Sequence, residues 1–361
     1  MARAAVMTAP GHMEVRSQPD PNVEPGGVVL STVLSEVCGT DVHLYHGRLA
    51  GVPYPIIPGH VSVGRIMETG GAVTDVEGRP LLPGEIVTFL DVHGTCGACW
   101  YCQVAQATTR CPHRKVYGIT MSADDGLFGG WSDTIYLKPG TRILPLDEAP
   151  PEAFMGGGCG LATALHAVER ADIRFGDTVL VQGSGPVGLS ALALAGLKGA
   201  TRLLMTGGGA DARRLAALAL GADLFLDVFA TTEAERLDAV RRVTGGRGAD
   251  VVIEASGAPA AVPEGMRLAR DAGAYIVVGQ YTDNGAAAFN PHEDLNRKHL
   301  RVQGVWGVDY SHYHRALKVL QRHQGTIPWE SFLSRTYSLD DMPLALDDVE
   351  HARVIKAAVR P

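Results

Sequence analysis

The six cysteines of this chain fall into two sets, and their spacing constrains how the backbone can fold around them. Four form one tight run, Cys96-x2-Cys99-x2-Cys102-x8-Cys111, while Cys38 and Cys159 stand far apart with the pair Gly59-His60 between them. Four thiolates saturate a tetrahedral zinc and leave no position for chemistry, whereas two thiolates and one imidazole leave a fourth position open. The first set would clamp a small lobe. The second could act on a substrate, provided that distant segments converge. An even cysteine count also suits disulfides, but CxxCxxC spacing wraps one ion better than it pairs within itself, and in a reducing compartment metal binding is the first reading. An iron–sulfur cluster is a rival occupant, although bacterial ferredoxin ligation closes with a gap of x3 where this chain has x8.

The chain has 361 residues, enough for two domains with their own cores. Hydrophobic residues make up 46% and charged residues 20%, a globular balance. A net charge of −7 and a pI near 6.0 argue against a nucleic-acid partner, because no basic surplus exists to neutralise phosphates. No apolar run reaches the roughly 18–20 residues needed to cross a bilayer. The start, MARAAVMTAPGHMEVRS, lacks the apolar core of a signal peptide. A cytoplasmic protein without a membrane partner is the expectation.

The texture of the chain changes once. Residues 1–160 are rich in Gly and Pro and carry short β-type runs, Gly27–Val33, Val61–Ile66 and Glu85–Leu90, which suggests a compact β barrel or sandwich. From about Leu161 to residue 303, apolar strand runs alternate with alanine-leucine helical stretches. Thr178–Gln182, Leu203–Thr206, Val251–Ala255 and Tyr275–Gly279 are the strands, the signature of an α/β fold with a doubly wound parallel sheet. Residues 304–361, with a helix near Tyr313–Arg322 and a strand Val354–Val359, are expected to return to the first domain.

Between the first of these strands and its helix runs Gly183-Ser184-Gly185-Pro186-Val187-Gly188, a match to G-x-G-x-x-G in the context that gives it meaning. The first glycine permits the tight turn, the second lets a pyrophosphate approach the backbone, and the third lets helix and sheet pack closely. The helix N-terminus then faces the negative phosphates. The second strand ends in Thr206-Gly207, without the acid that usually binds a ribose 2′-hydroxyl. Arg213 or Arg214 could approach a 2′-phosphate, and Asp211 could serve the ribose, so both NAD and NADP stay open.

With these residues in view, the chain resembles the zinc-dependent alcohol dehydrogenases of the medium-chain dehydrogenase/reductase superfamily along its whole length. The resemblance rests on Cys38-Gly39-Thr40-Asp41-x-His43, Gly59-His60, the four-cysteine run, Cys159 and the glycine turn, in that order. It implies a GroES-like, β-rich catalytic domain (1–160 with 304–361) bearing a structural zinc lobe at about 93–115, and a Rossmann domain at 161–303. It also implies two zinc ions per subunit and a homodimer or homotetramer. Cys38, His60 and Cys159 would bind the catalytic zinc, and Cys96, Cys99, Cys102 and Cys111 the structural one. Thr40 would contact the substrate oxygen, His43 would end a proton relay, and Asp41 would orient His60. Gly183, Gly185, Pro186, Val187, Gly188, Thr206 and Gly207 would hold the coenzyme, with Lys356 on its pyrophosphate. Val92 and Trp306 would flank the substrate, and His93 could join them.

The implied reaction moves a hydride between an alcohol and NAD(P), giving the ketone or aldehyde. The named pocket residues are apolar or aromatic, which favours a hydrophobic secondary or cyclic alcohol. A polyol dehydrogenase and a non-catalytic nucleotide-binding relative are the alternatives. One departure is plain: the family usually reads Gly-His-Glu, and here Val61 follows His60. That glutamate can transiently coordinate zinc in some members, so ligand exchange or metal affinity is in question. The x8 gap before Cys111 is also one residue longer than the commonest form, which a surface lobe should tolerate.

Overall fold

The computed structural model describes residues 1–209 and 211–361. The backbone separates into two compact units, one of Met1–Gly158 with Asp309–Pro361 and one of Cys159–Val308. The chain leaves the first unit inside a helical stretch, Pro151–Ala171, that breaks at Gly158 with φ 48° and ψ −143°. A side chain at Gly158 would be strained by that φ and would drive into Glu36 and Lys356.

In the first unit one sheet runs in the order Leu333–Tyr337, Lys356–Val359, Val28–Val37, Ser62–Thr69, Ile86–Phe89, Ile143–Pro145. Thr134–Leu137 also pairs with Val28–Val37. The strand Val28–Val37 is the hub. Its sequence, VVLSTVLSEV, is dominated by β-branched residues that fit a pleated, half-buried surface. Its first residues pair with Thr134–Leu137, and Ser35–Val37 pair antiparallel with Ala357–Val359. The last segment of the chain is therefore stitched into the sheet that the first segment begins. Aromatic side chains fill this unit, with Phe89, Tyr117, Trp131, Trp329 and Phe332 fully buried. The sequence runs locate four of these strands but understate the hub, which continues past Val33 to Val37. An N-terminal hairpin, Ala2–Ala9 with His12–Gln18, is not legible as a pair because its second strand mixes exposed and half-buried positions.

A two-residue strand, Val92–His93, pairs antiparallel with Lys115–Val116. This clasp closes a loop over residues 94–114, in which all four cysteines of the tight run lie.

The second unit holds a six-stranded, wholly parallel sheet in the order Leu224–Asp227, Arg202–Gly207, Thr178–Gln182, Ala249–Glu254, Ala269–Val277, Arg301–Gly304. Helices Pro186–Leu197, Asp211–Ala219, Glu233–Val243 and Ala261–Leu268 connect the strands. The strand order reverses on either side of Thr178–Gln182, and ligands of such sheets bind beyond the strand ends at that switch point. Thr178–Gln182 and the residues Gly188–Ala195 of the following helix are buried throughout, as a central strand and the helix covering it should be. The strand Leu224–Asp227 and helix Glu233–Val243 are weak in the sequence. Every residue of that edge strand is half-buried, and the helix draws its definition from a capping box between Thr232 and Glu235.

Candidate functional site

The four-cysteine loop gathers its sulfurs. Cys99 and Cys102 Sγ lie 3.5 Å apart, Cys111 and Cys96 3.7 Å, and Cys99 and Cys111 3.9 Å. All four cysteines are free of disulfides. The edge of a tetrahedron with Zn–S bonds of about 2.3 Å is about 3.8 Å, so the spacing fits one zinc. Backbone N–H groups of Cys96 and Cys99 point at Cys111 and Cys96 sulfurs, 3.4 and 3.3 Å away. Such donors suit thiolates. The N–H of Ala98 leads in pulling the Cys96 thiol down to about 6, while burial and then the Cys99 sulfur push Cys102 up to about 12. Crowded thiols without a counter-cation cannot all ionise, and a dication removes that conflict.

Cys38, His60 and Cys159 form the second group, with one donor atom from each lying within 4.8 Å of the other two. Cys38 ends the hub strand and precedes the short helix Gly39–Tyr45, and its N–H donates to Asp41 Oδ2 at 2.8 Å. His60 turns its Nε2 towards Cys38 Sγ at 4.0 Å, while its Nδ1 is buried without a partner. Burial disfavours charge on this ring, yet the Cys38 sulfur, Asp41 and Asp91 together outweigh it and lift the imidazole to about 10. Two sulfurs and one imidazole nitrogen this close form the donor set of an open zinc site. Cys159 immediately follows Gly158, where the helical stretch breaks, so that break sets where its sulfur stands.

Asp41 is fully buried, and burial followed by the Cys38 charge holds its carboxyl well above the usual carboxylate range. Its printed bond goes to the Cys38 backbone rather than to His60, and its Oδ1 is unpartnered. It therefore positions the ligand strand directly and acts on the imidazole through charge. Thr40 and His43 sit three apart on the same helix, a spacing that makes them neighbours on one face. Burial, then Arg48, lowers the His43 pKa below its ordinary 6.5.

In the second unit the glycine turn shows three distinct roles. Gly183 has φ +105°, and a Cβ there would come within 2.8 Å of the Ala255 carbonyl oxygen and the Ser256 nitrogen. Gly188 lies so close to the Gly183 carbonyl that a side chain has no room. Gly185 caps the helix in extended conformation (φ −80°, ψ −179°), and a Cβ there would meet nothing within 4 Å. Pro186 fills the first helical turn, where its missing N–H costs nothing. Thr206 O accepts from Gly183 N at 2.7 Å, and Gly207 backs directly onto Ser184. Arg213 is half-buried, whereas Arg214 and Asp211 are exposed.

Two acidic residues escape the sequence reading. Glu254, fully buried at a strand end, accepts from Ser256 N and Gly257 N at 2.7 Å and from Gly279 N at 3.1 Å. It ties together the loops after two central strands, and its position at the end of Ala249–Glu254 is the signal that could have exposed it. Asp91 lies near enough to His60 to act on its charge, and burial raises its own pKa. Val92 is buried beside it in the first unit. Trp306 belongs to the second unit, where it stacks on Tyr281 at 5.4 Å and 9°. Both line a cavity of about 400 Å³ together with Pro259, Val262 and Asn284. His93 approaches Thr141 Oγ1 at 3.3 Å. Lys356, expected on a pyrophosphate, is 2% exposed with its ammonium donated to Glu36 inside the first unit.

A fold with these two units, two clustered donor sets and a dinucleotide turn defines a zinc-binding, nucleotide-dependent dehydrogenase. Comparison with known proteins agrees. Residues 24–148 match the alcohol dehydrogenase GroES-like domain and residues 186–322 the zinc-binding dehydrogenase family. A 5-exo-hydroxycamphor dehydrogenase of Pseudomonas putida is 33% identical over 99% of this chain and 98% of its own. A sorbitol dehydrogenase of Halalkalibacterium halodurans is 30% identical over 97% and 96%. Among solved structures, an alcohol dehydrogenase from Thermotoga maritima superposes with a TM-score of 0.94 at 31% identity, covering 100% of this chain and 99% of its own. A zinc-binding dehydrogenase from Sinorhizobium meliloti 1021 bound to NADP gives 0.86 at 29%, with the same coverage. The chain belongs to the zinc-dependent alcohol dehydrogenases of the medium-chain dehydrogenase/reductase superfamily. It is an NAD(P)-dependent oxidoreductase acting on CH–OH donors, with zinc as its metal. Among the described residues no helix is long and apolar enough to cross a membrane.

Proposed function

We propose that Cys38, His60 and Cys159 hold the catalytic zinc and that Cys96, Cys99, Cys102 and Cys111 hold a second, structural one. The observation that carries this reading is the convergence of Cys38, His60 and Cys159, far apart in sequence, with donor atoms within 4.8 Å of one another. Two thiolates neutralise a zinc dication, so the open position suits a neutral alcohol or carbonyl. Zinc held there would supply Lewis-acid chemistry, drawing the pKa of an alcohol down towards about 7, and a bound nicotinamide would accept the hydride.

The rest falls to the chain. Cys38 is held in place by its N–H bond to Asp41. Thr40 would take the hydroxyl proton as it passes its own on, and His43 would accept the proton at the end of the relay through the coenzyme ribose, its lowered pKa keeping the ring neutral at pH 7. The glycine turn and the N-terminus of Pro186–Leu197 receive the pyrophosphate.

The substrate proposed is a hydrophobic secondary alcohol, cyclic by preference. The stacked pair Trp306 and Tyr281 offers flat aromatic surface in a cavity that also carries Gln280, Thr282, Asp283 and Asn284, and a relative named for a hydroxycamphor aligns over 99% of the chain. A polyol is the second reading, favoured by relatives named for sorbitol and for erythritol and L-threitol. We place the enzyme in the cytoplasm as a homodimer or homotetramer. The strand Arg301–Gly304 ends its sheet with every residue exposed, a backbone edge on which a second copy could pair.

The test is zinc content and turnover together. The purified enzyme should carry two zinc ions per chain and reduce NAD or NADP with cyclic secondary alcohols. Cys38→Ser should lose one zinc and all turnover while keeping the other zinc. Retention of both ions with turnover intact would overturn the assignment, and faster turnover of sorbitol or threitol would select the polyol reading.

A further inference from the structure

Glu36 and Lys356 form a fully buried ion pair in the first unit, with side chains 0% and 2% exposed. Burying such a pair incurs a desolvation cost that well-packed apolar residues of the same volume avoid, so stability alone is a poor reason for it. Its surroundings give a better one. Glu36 lies two residues before Cys38 on an extended backbone, so the two side chains leave the same face. Its N–H donates to the carbonyl of Val61, the residue after His60, at 2.9 Å. Its own carbonyl accepts the buried Trp131 indole N–H at 3.0 Å. At Gly158, the residue before Cys159, a Cβ would stand 2.7 Å from the Lys356 ammonium and would overlap the Glu36 carboxylate. Each backbone segment that carries one of the three clustered donors therefore touches this pair.

Val61 cannot supply an oxygen to the metal. We propose that Glu36 is the reserve oxygen donor of the metal centre, supplied from the neighbouring strand, and that Lys356 is the latch holding it off the metal. The proposal rests on the assignment of Cys38, His60 and Cys159 as the catalytic zinc ligands. With the pair closed, the carboxylate is neutralised and the fourth position stays open to substrate. When that position empties, Glu36 turns to the metal, whereas Asp41 and Asp91, whose charges also act on His60, are each engaged by backbone N–H groups. Gly158 keeps the space clear for its movement.

The experiment uses the enzyme with cobalt(II) in place of zinc, because visible d–d bands report on the donor atoms. Lys356→Met releases the latch: the bands should shift, and the KM for alcohol should rise at least tenfold as the carboxylate competes for the open position. Glu36→Gln/Lys356→Met should restore the original bands. It should also lose cobalt to EDTA at least tenfold faster than the unaltered enzyme, since no reserve donor remains. Unchanged bands in folded, fully loaded Lys356→Met overturn the proposal, as does the same shift in the double variant. The double variant leaves no buried unpaired charge. Should Lys356→Met fail to fold, the EDTA rates decide, and equal rates overturn the proposal. Cys38→Ser separates the two levels of the argument. If bands assigned to the site survive that change, the metal assignment itself has failed; if they vanish while Lys356→Met alters nothing, only the role of Glu36 has.

Discussion

Replacing each glycine of the dinucleotide turn by alanine should separate folding from coenzyme binding within six residues. At Gly183, φ +105° lies where L side chains are strained by about 1–3 kcal/mol. The added Cβ also meets the Ala255 oxygen and Ser256 nitrogen at 2.8 Å, an overpacking of about 1–3 kcal/mol, so Gly183→Ala should cost about 4 kcal/mol. At Gly188 the Cβ drives into the Gly183 carbonyl, at about 3 kcal/mol, and helix propensity returns about 1, leaving about 2. Gly185 differs in kind. Its backbone already suits alanine and its Cβ direction is open, so lower unfolded-state entropy would contribute about 0.4–1 kcal/mol. Loss of a glycine N-cap offsets that by a similar amount, and the net change should stay within about 1 kcal/mol. The open space is where a pyrophosphate must approach, so Gly185→Ala should weaken coenzyme binding at least tenfold, about 1.4 kcal/mol. Urea unfolding and quenching of tryptophan fluorescence by reduced coenzyme measure the two quantities. If Gly185→Ala unfolds as easily as Gly183→Ala, or binds coenzyme as the parent does, the division of roles is wrong.

The structural lobe and one helix cap give further expectations. Cys102→Ser should reduce zinc to one ion per chain and open residues 94–114 to protease, while coenzyme binding, housed in the other unit, persists; a resistant lobe would refute the clasp-and-ion account. Asp309 caps the helix Tyr310–Arg322, and hydrogen bonding from His312, then from Ser311, holds its carboxyl well below the usual range. A carboxylate depressed on folding stabilises the protein above the unfolded pKa of about 3.9 and loses that contribution as pH falls towards the folded value. Asp309→Ala should therefore cost about 1 kcal/mol at pH 7. The gap from the parent should narrow in urea melts below pH about 4; a gap that widens in acid would reverse the sign.

What the sequence determined was local chemistry and periodicity. Cys96, Cys99, Cys102 and Cys111 lie within 16 residues, so the loop that carries them can close on an ion with little help from the rest of the chain. The glycine turn was equally legible, because its meaning comes from the strand before it and the helix after it. So was the parallel sheet, whose central strands are short apolar runs between helices. The edge strand Leu224–Asp227 and the N-terminal hairpin were not, because half-buried segments carry a mixed pattern.

Only the tertiary structure decided how distant residues meet. Nothing local places Cys38 beside His60, or Ala357–Val359 against Ser35–Val37. Asp41 was expected to orient His60, but backbone geometry gave its hydrogen bond to Cys38 instead. Lys356 was expected, by resemblance, on the coenzyme pyrophosphate, and the sheet register pairs it with Glu36. Sequence spacing fixes which contacts lie within a few turns of the chain. Contacts across hundreds of residues depend on strand order and register, which arise only when the whole hydrophobic interior packs at once.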